Sequence, residues 1–240
     1  MNVLVTNDDG ITSEGLLLLV QALREQGKHT IYVIAPDSNR SAVSHSVSSI
    51  MQDPIRLKEV DKDMWSCSGT PADCVMLAFM GVLPVFPDMV LSGINRGPNI
   101  GTDIIYSGTV AGARQGALHH VPGIALSLAA RKPFFWDGAV RFIVEHIDEF
   151  FSYWRADTFI NINLPNIPEG PAGSLLTFPS RRRYHDTLTV IDRPNGRKYC
   201  FIQSGDVETV PAAGSDYDAV SRNLASICLC AVHPAAALQS

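Results

Sequence analysis

The sequence predicts an α/β fold with a mostly parallel sheet and, towards the C-terminus, an extended antiparallel β arm. Three observations carry this reading. Short β-branched and aliphatic runs recur, each followed by a polar elbow and then by a helix pattern. The first of them is β-branched or aliphatic throughout rather than alternating, as a strand covered on both faces is. Beyond residue 173 the rhythm changes to short β-like runs broken by turn residues.

The first run, Val3 to Thr6, is a buried strand that stops at Asn7-Asp8-Asp9-Gly10. Leu16 to Leu23 follows as an amphipathic helix, with Thr12 or Ser13 as N-cap and Glu14 in the first turn. Thr30 to Ala35 is the second strand, leading into Pro36-Asp37-Ser38-Asn39-Arg40-Ser41. Ser41 to Ser49 carries five serines and His45, and reads either as a flexible loop or as polar groups poised over the sheet edge. Met64 to Ser68 is a short strand. Thr70 then caps a helix with Pro71 at its first position, running to Met80.

Asp88 to Leu91 is the next buried strand, and Ser92 to Asn99 reads as an irregular loop. Ser107-Gly108-Thr109 opens a small-residue helix, Val110 to Leu118, where hydroxyls, free N–H groups and the positive dipole end coincide. Plain capping by Ser107 or Thr109 fits the same residues. Gly123 to Leu128 is a strand, Trp136 to Phe151 a helix and Phe159 to Leu164 a strand. Pro165 to Gly173 marks the change of architecture, so the expected division is an α/β core over 1–165 and an arm with a final strand over 166–240. The arm comprises Leu175 to Phe178, Thr187 to Ile191 and Lys198 to Gln203, the last two joined by Pro194-Asn195-Gly196. Asp216 to Asn223 is a short helix and Ala225 to Val232 the last strand.

Composition bounds the function. The chain has 240 residues, 46% hydrophobic and 18% charged, enough for a large core. A net charge of −5 argues against a general nucleic-acid binder. No run is long enough to span a bilayer, and no basic-then-apolar signal segment is visible. Five cysteines without such a signal point to reduced thiols in the cytoplasm. Cys228-x-Cys230 is expected to put its thiols on alternating faces, as core or interface residues rather than metal ligands.

Asp8-Asp9, Ser41 and Asn95 each follow a strand and so fall on one edge of the sheet, where open α/β sheets bind ligands. Two carboxylates, a hydroxyl and an amide carbonyl are hard donors that suit Mg²⁺ or Mn²⁺. Such a metal would polarise a phosphoryl group and acidify a bound water. Asn99 and Ser107-Gly108-Thr109 would hold the phosphate, so the set points to phosphoester hydrolysis. An Asx-turn that merely ties the first elbow together is the plainer reading of Asp8 and Asp9.

Five blocks in order resemble the SurE family: Asn7-Asp8-Asp9-Gly10, Ala35-Pro36-Asp37 to Arg40-Ser41, Gly69-Thr70-Pro71-Ala72-Asp73, Ser92-Gly93-Ile94-Asn95 with Gly97-Pro98-Asn99, and Tyr106-Ser107-Gly108-Thr109. The resemblance implies a Rossmann-like three-layer sandwich and a 5′/3′-nucleotidase using one divalent metal per subunit. It also implies a C-terminal arm that swaps in a homodimer or homotetramer. Some family members are described as exopolyphosphatases. Asp8, Asp9, Ser41 and Asn95 fall on the family's metal ligands, and Asn99, Ser107 and Thr109 on its phosphate contacts. Asp8 or Asp9 would accept the proton of the attacking water.

The chain departs from the family pattern at Ala42, where a glycine is usual, at His45 for Asn and at Gln115 for Glu. A positive φ at Ala42 would cost about 1 kcal/mol. The run Arg181-Arg182-Arg183 reads as a solvated turn, or as a cluster for the extra charges of polyphosphate. A nucleotide-binding protein without turnover is the alternative from another class. No Gly-x-Gly-x-x-Gly follows a strand, which disfavours a dinucleotide oxidoreductase. Adjacent rather than alternate carboxylates disfavour a covalent aspartyl phosphatase.

Overall fold

A computed structural model of the chain describes residues 1–48, 54–130 and 132–234; Ser49, the last serine of the serine-rich run, lies outside them. The core strands are β1 (Asn2–Thr6), β2 (Thr30–Pro36), β3 (Leu57–Asp61), β4 (Met64–Cys67), β5 (Met89–Arg96), β6 (Gly123–Ala129) and β7 (Thr158–Pro165). Two later strands, β8 (Ser174–Thr177) and β13 (Ala225–Ala231), complete a nine-stranded sheet of order β3-β4-β2-β1-β5-β6-β7-β13-β8. All its pairs are parallel except β3 with β4 and β7 with β13.

Alternate residues of the buried strands feed opposite faces, as the pleat requires. Val3, Val5, Ile31, Val33, Leu126 and Ile162 pack with α1 (Glu14–Gln26) and α4 (Trp136–Tyr153). Leu4, Ile34 and Val90 pack with α2 (Pro71–Leu77) on the other face. There α3 (Gly108–Leu118) lies against Ala125 and Phe159. The result is a three-layer, Rossmann-like α/β sandwich. The chain leaves β1 towards β2 and β4, then returns to β5 on the other side of β1. The β1–β5 boundary is therefore the switch point of the sheet, where a crevice opens beyond the strand ends.

The helix α3 owes its position to glycine. A Cβ on Gly108 would lie 2.9 Å from Asp8 Cβ, one on Gly112 2.6 Å from Ser92 Oγ, and one on Gly116 2.7 Å from Val90 Cγ2. Glycine in a helix interior costs about 1 kcal/mol each. Here it lets the helix lie directly on β1 and β5, with its N-terminus against the first elbow.

The arm consists of two ribbons: β9 (Arg181–Tyr184) with β12 (Val207–Val210), and β10 (Thr187–Asp192) with β11 (Lys198–Gln203). Asn195 and Gly196 turn the outer hairpin with φ of 71° and 73°, as the Asn-Gly pair predicts. A short helix, α5 (Asp216–Ser221), precedes β13.

Several expectations are corrected. Residues 175–177 lie not in the arm but in the main sheet as β8, because their carbonyls and amides pair with β13. Ser92 to Arg96 is not loop: β5 runs on through it, carried by a bulge between Ser92 and Asn95 opposite β6. Gly93 sits in that bulge with φ of 147°, where a Cβ would lie 2.3 Å from the Leu126 carbonyl oxygen. The second helix ends at Leu77 and widens into a π-turn over 78–82, which Gly81 terminates with φ of 97°. The arginine run is strand β9, not a solvated turn, and Arg182 folds back onto Asp103. Cys228 and Cys230 do not take alternating faces. Residues two apart in a strand share a face, and their Sγ atoms are 3.7 Å apart. The described residues contain no group of three or more His, Cys, Asp or Glu able to hold a metal, and no helix long and apolar enough to cross a membrane.

Candidate active site at the sheet switch point

The first elbow is built by Asn7. Its fully buried side chain donates to the Gly10 carbonyl (3.0 Å) and to Ser13 Oγ (2.6 Å), and accepts from Gly10 N–H (3.2 Å). Ser13 is the N-cap of α1 by position, but its hydroxyl serves Asn7 and makes no side-chain cap. The turn thus holds together without Asp8 or Asp9, whose carboxylates are left for other partners.

Asp8 is buried. Thr109 Oγ1 donates to its Oδ1 at 2.5 Å. Burial pushes the Asp8 carboxyl up to about 6; the Thr109 bond opposes this and the neighbouring Asp9 charge adds to it. Asp9 stands nearer solvent, and its Oδ2 accepts from the Arg96 backbone N–H at 3.2 Å. Burial raises its carboxyl too, against the Arg96 bond and charge. Two carboxylates that both resist ionisation at one strand end are a place where a cation is favourable.

Three other segments close the site. Arg40 N–H donates to the Asp8 carbonyl at 2.7 Å, which brings Ser41 to the elbow. Asn95 Nδ2 donates to the Gly97 carbonyl at 2.9 Å, leaving its Oδ1 free of partners among the described residues. Asp8, Asp9, Ser41, Asn95, Asn99 and Ser107 all line one cleft of about 270 Å³. Ala42, also on its wall, has φ of 59°, so the strain that its sequence position suggests is present.

The phosphate-contact candidates divide. Asn99 and Ser107 face the cleft, whereas Gly108 and Thr109 stand behind it. Ser107 Oγ accepts from Val110 N–H at 3.1 Å, so it is the N-cap of α3 as well. Thr109 is fully buried and committed to Asp8.

The serine-rich loop is pinned over the edge. Ser44 bonds to the Tyr106 and Ile105 carbonyls at 3.0 and 2.7 Å. Thr70 Oγ1 donates to the Ser46 carbonyl at 2.7 Å. Asp73 accepts from Ser48 N–H and Oγ at 2.9 and 2.7 Å. Asp73 also completes the capping box with Thr70 that the Gly-Thr-Pro start of α2 implies.

Sequence reasoning missed the clamp on Asn99. Asn163 Oδ1 accepts from Asn99 N–H (2.8 Å), Asn161 and Asn163 donate to its carbonyl (2.8 and 3.1 Å), and Ser127 Oγ accepts from its side chain (2.8 Å). The signal was present: two asparagines at period two inside an apolar strand are costly unless they hold something. Asp103, with Arg182 and Tyr184 bonded to it, and Tyr106 were missed as walls of the same cleft.

Comparisons with known proteins agree with this architecture. The family model described as "Survival protein SurE" matches residues 3–186. A protein of Thermosipho melanesiensis named 5'-nucleotidase SurE is 40% identical over 233 residues, covering 95% of this chain and 90% of that one. One of Pseudothermotoga lettingae with the same name is 42% identical over 233 residues, covering 95% and 87%. The crystal structure of the SurE protein from Aquifex aeolicus superposes with a TM-score of 0.83 at 33% identity, over 97% of this chain and 94% of that one. Matched along most of its length in both sequence and fold, the chain belongs to the SurE family.

Proposed function

We propose that this protein is a divalent-metal-dependent phosphohydrolase that removes phosphate from nucleoside 5′- and 3′-monophosphates. One observation carries the reading: oxygen donors from three separate strand ends, Asp8 and Asp9, Ser41 and Asn95, meet in one small cleft with Asn99 and Ser107. The names of the relatives, 5'-nucleotidase SurE, support the substrate class.

The donor set fits Mg²⁺ or Mn²⁺. All four side chains offer oxygen, the two charges are carboxylates, and Asn95 has its nitrogen tied back so that its oxygen remains. When bound, the cation supplies phosphoryl polarisation and an acidified water. The protein's own groups do the rest. Asn99, immobilised by Asn161, Asn163 and Ser127, and Ser107 at the head of α3 orient the phosphate. Asp9 is the better placed to take the proton of the attacking water, because Asp8 already shares its carboxylate with Thr109. Thr109 acts through Asp8. Polyphosphate gains no support from the arm, since Arg182 is committed to Asp103.

The same reading includes assembly as a homodimer or homotetramer through the arm. Leu188 and Ile202 of the outer hairpin are 62% and 77% exposed, more apolar surface than a lone two-stranded ribbon can carry.

The test is phosphate release from 5′-AMP, 3′-AMP and short polyphosphate after chelation, then with Mg²⁺, Mn²⁺ or Zn²⁺ restored. Release from both mononucleotides should return with Mg²⁺ or Mn²⁺. A folded protein that binds AMP but releases no phosphate with any of the three would be a binding protein instead.

A further inference from the structure

The cleft at the switch point, about 270 Å³, is large enough for a cation and a phosphate and too small for a whole nucleotide. Two cavities adjoin it. One, about 380 Å³, shares Pro98 and Asp103 with the cleft, and its charged groups, Asp103 and Arg182, already neutralise each other. The other, about 700 Å³, shares Ser107 and has the size of small-molecule sites. Its walls are more apolar than polar, with Ile104, Ile105 and Val110 on one side, and Ser44, His45, Arg114, Ser180 and His233 among its polar points. Apolar walls with a few convergent polar groups suit a flat heteroaromatic base on a sugar.

His45, on the cavity wall, and Gln115, on α3 behind it, touch. Gln115 Nε2 can only donate, so at 3.2 Å it gives its hydrogen to His119 Nε2. Its Oε1 therefore accepts from His45 Nε2 at 2.8 Å. His119 is fixed in turn by stacking on Phe79, with centroids 4.4 Å apart. The His45 ring is thereby held as the Nε2–H tautomer, and its Nδ1, which has no partner among the described residues, is left as an acceptor on a side chain that lines the cavity. Burial holds this imidazole below its ordinary value, the Gln115 bond opposing and the Arg114 charge adding. It is thus neutral at neutral pH.

We infer that the 700 Å³ cavity beside the cleft takes the nucleoside part of the substrate, and that His45, positioned by Gln115, is a specificity-determining residue that accepts a hydrogen bond from an N–H or O–H of that nucleoside. This rests on the nucleotidase reading, and the experiment separates the two.

Kinetics with 5′-AMP and with glycerol 2-phosphate, which lacks a base, are compared for the wild type, His45→Ala, Gln115→Leu, Ile105→Trp and Val207→Trp. Ile105 is 64% exposed, so its substitution narrows the cavity without burdening the core. Val207→Trp narrows the other cavity. His45→Ala and Ile105→Trp should raise KM for AMP about tenfold with kcat little changed, and leave glycerol 2-phosphate untouched. Gln115→Leu should shift KM for AMP in the same direction by less, again without a change in kcat. Equal effects on both substrates, or an effect from Val207→Trp alone, would overturn the assignment. If the wild type hydrolyses neither substrate, the nucleotidase reading fails. Calorimetric titration of AMP then decides the subsite alone: weaker binding to His45→Ala and Ile105→Trp supports it, and unchanged binding ends it.

Discussion

The first elbow and the outer hairpin of the arm put their polar and apolar groups to opposite use. At the elbow, Asp8 is a carboxyl sealed under α3 and bonded by Thr109. In the arm, every residue of β10 and β11 is exposed, Leu188, Phe201 and Ile202 included. Each region is unfavourable for the isolated chain. A buried carboxylate asks for a cation, and an exposed apolar ribbon asks for a covering surface. The comparison teaches that the least self-sufficient parts of this molecule are those assigned to ligand and partner, while the α1–α4 side of the sheet holds the fold.

The largest effect should come from Asp8→Asn. Turnover with Mg²⁺ or Mn²⁺ should fall by about 10²–10³-fold, since the charge that holds the cation is lost while the shape remains. Stability of the metal-free protein should move the other way. The Asp8 carboxyl titrates at about 6 when folded, against an ordinary value of 3.8. Between those values the folded chain binds more protons than the unfolded one, so stability falls as pH rises through that window and stays lower above it. The asparagine variant escapes that loss, so above pH 6 its metal-free form should be more stable by roughly 2–3 kcal/mol. Denaturant melts of both forms at pH 4.5 and pH 7.5, with chelator, check the sign. Equal pH dependence in the two would remove Asp8 as the source.

A pair of isoleucines sharpens the contrast at smaller magnitude. Ile143 of α4 is fully buried, and Ile143→Ala should cost about 2–5 kcal/mol. Ile202→Asp, in the arm, should change the unfolding free energy of the dissociated chain by less than about 1 kcal/mol. It should instead lower the molecular mass seen by light scattering towards that of one chain. An unchanged mass would mean that another surface assembles the protein.

These regions also differ in how far the sequence discloses them. The buried strands and amphipathic helices were legible because β1 and β2 are largely apolar on both faces, β6 and β7 carry aliphatic residues at period two, and α4 has one apolar side. The cleft was legible because Asp8-Asp9, Ser41 and Asn95 each lie at or just beyond the carboxyl end of a strand of a parallel sheet. Pairing partners were not, because register between distant segments leaves no local mark. Residues 174–177 read as arm until β13 is placed beside them. Bulges hide too: Gly93 and Asn95 look like loop residues, and only the ladder to β6 shows that they are strand. The commitments of Thr109 to Asp8, and of Asn161 and Asn163 to Asn99, span 62 or more residues of sequence and emerge only in the folded chain.

The smallest effect tests the strain at the cleft wall. Ala42 holds φ of 59° in the loop that delivers Ser41, with the preceding Arg40 N–H bonded to the Asp8 carbonyl. An L-residue there is strained by about 1 kcal/mol relative to glycine, and glycine gives back part of that through the greater freedom of its unfolded chain. Ala42→Gly should therefore raise stability by about 0.5 kcal/mol in denaturant melts. The methyl group also stiffens the loop, so the gain in stability need not be a gain in turnover. If the loop keeps Ser41 in place through Arg40, turnover with Mg²⁺ should stay within about twofold. If instead Ala42 is what fixes Ser41, the variant should show a weaker apparent affinity for the metal, which a Mg²⁺ titration of phosphate release reads directly. A loss of stability on introducing glycine would show that the left-handed conformation at position 42 is not under strain.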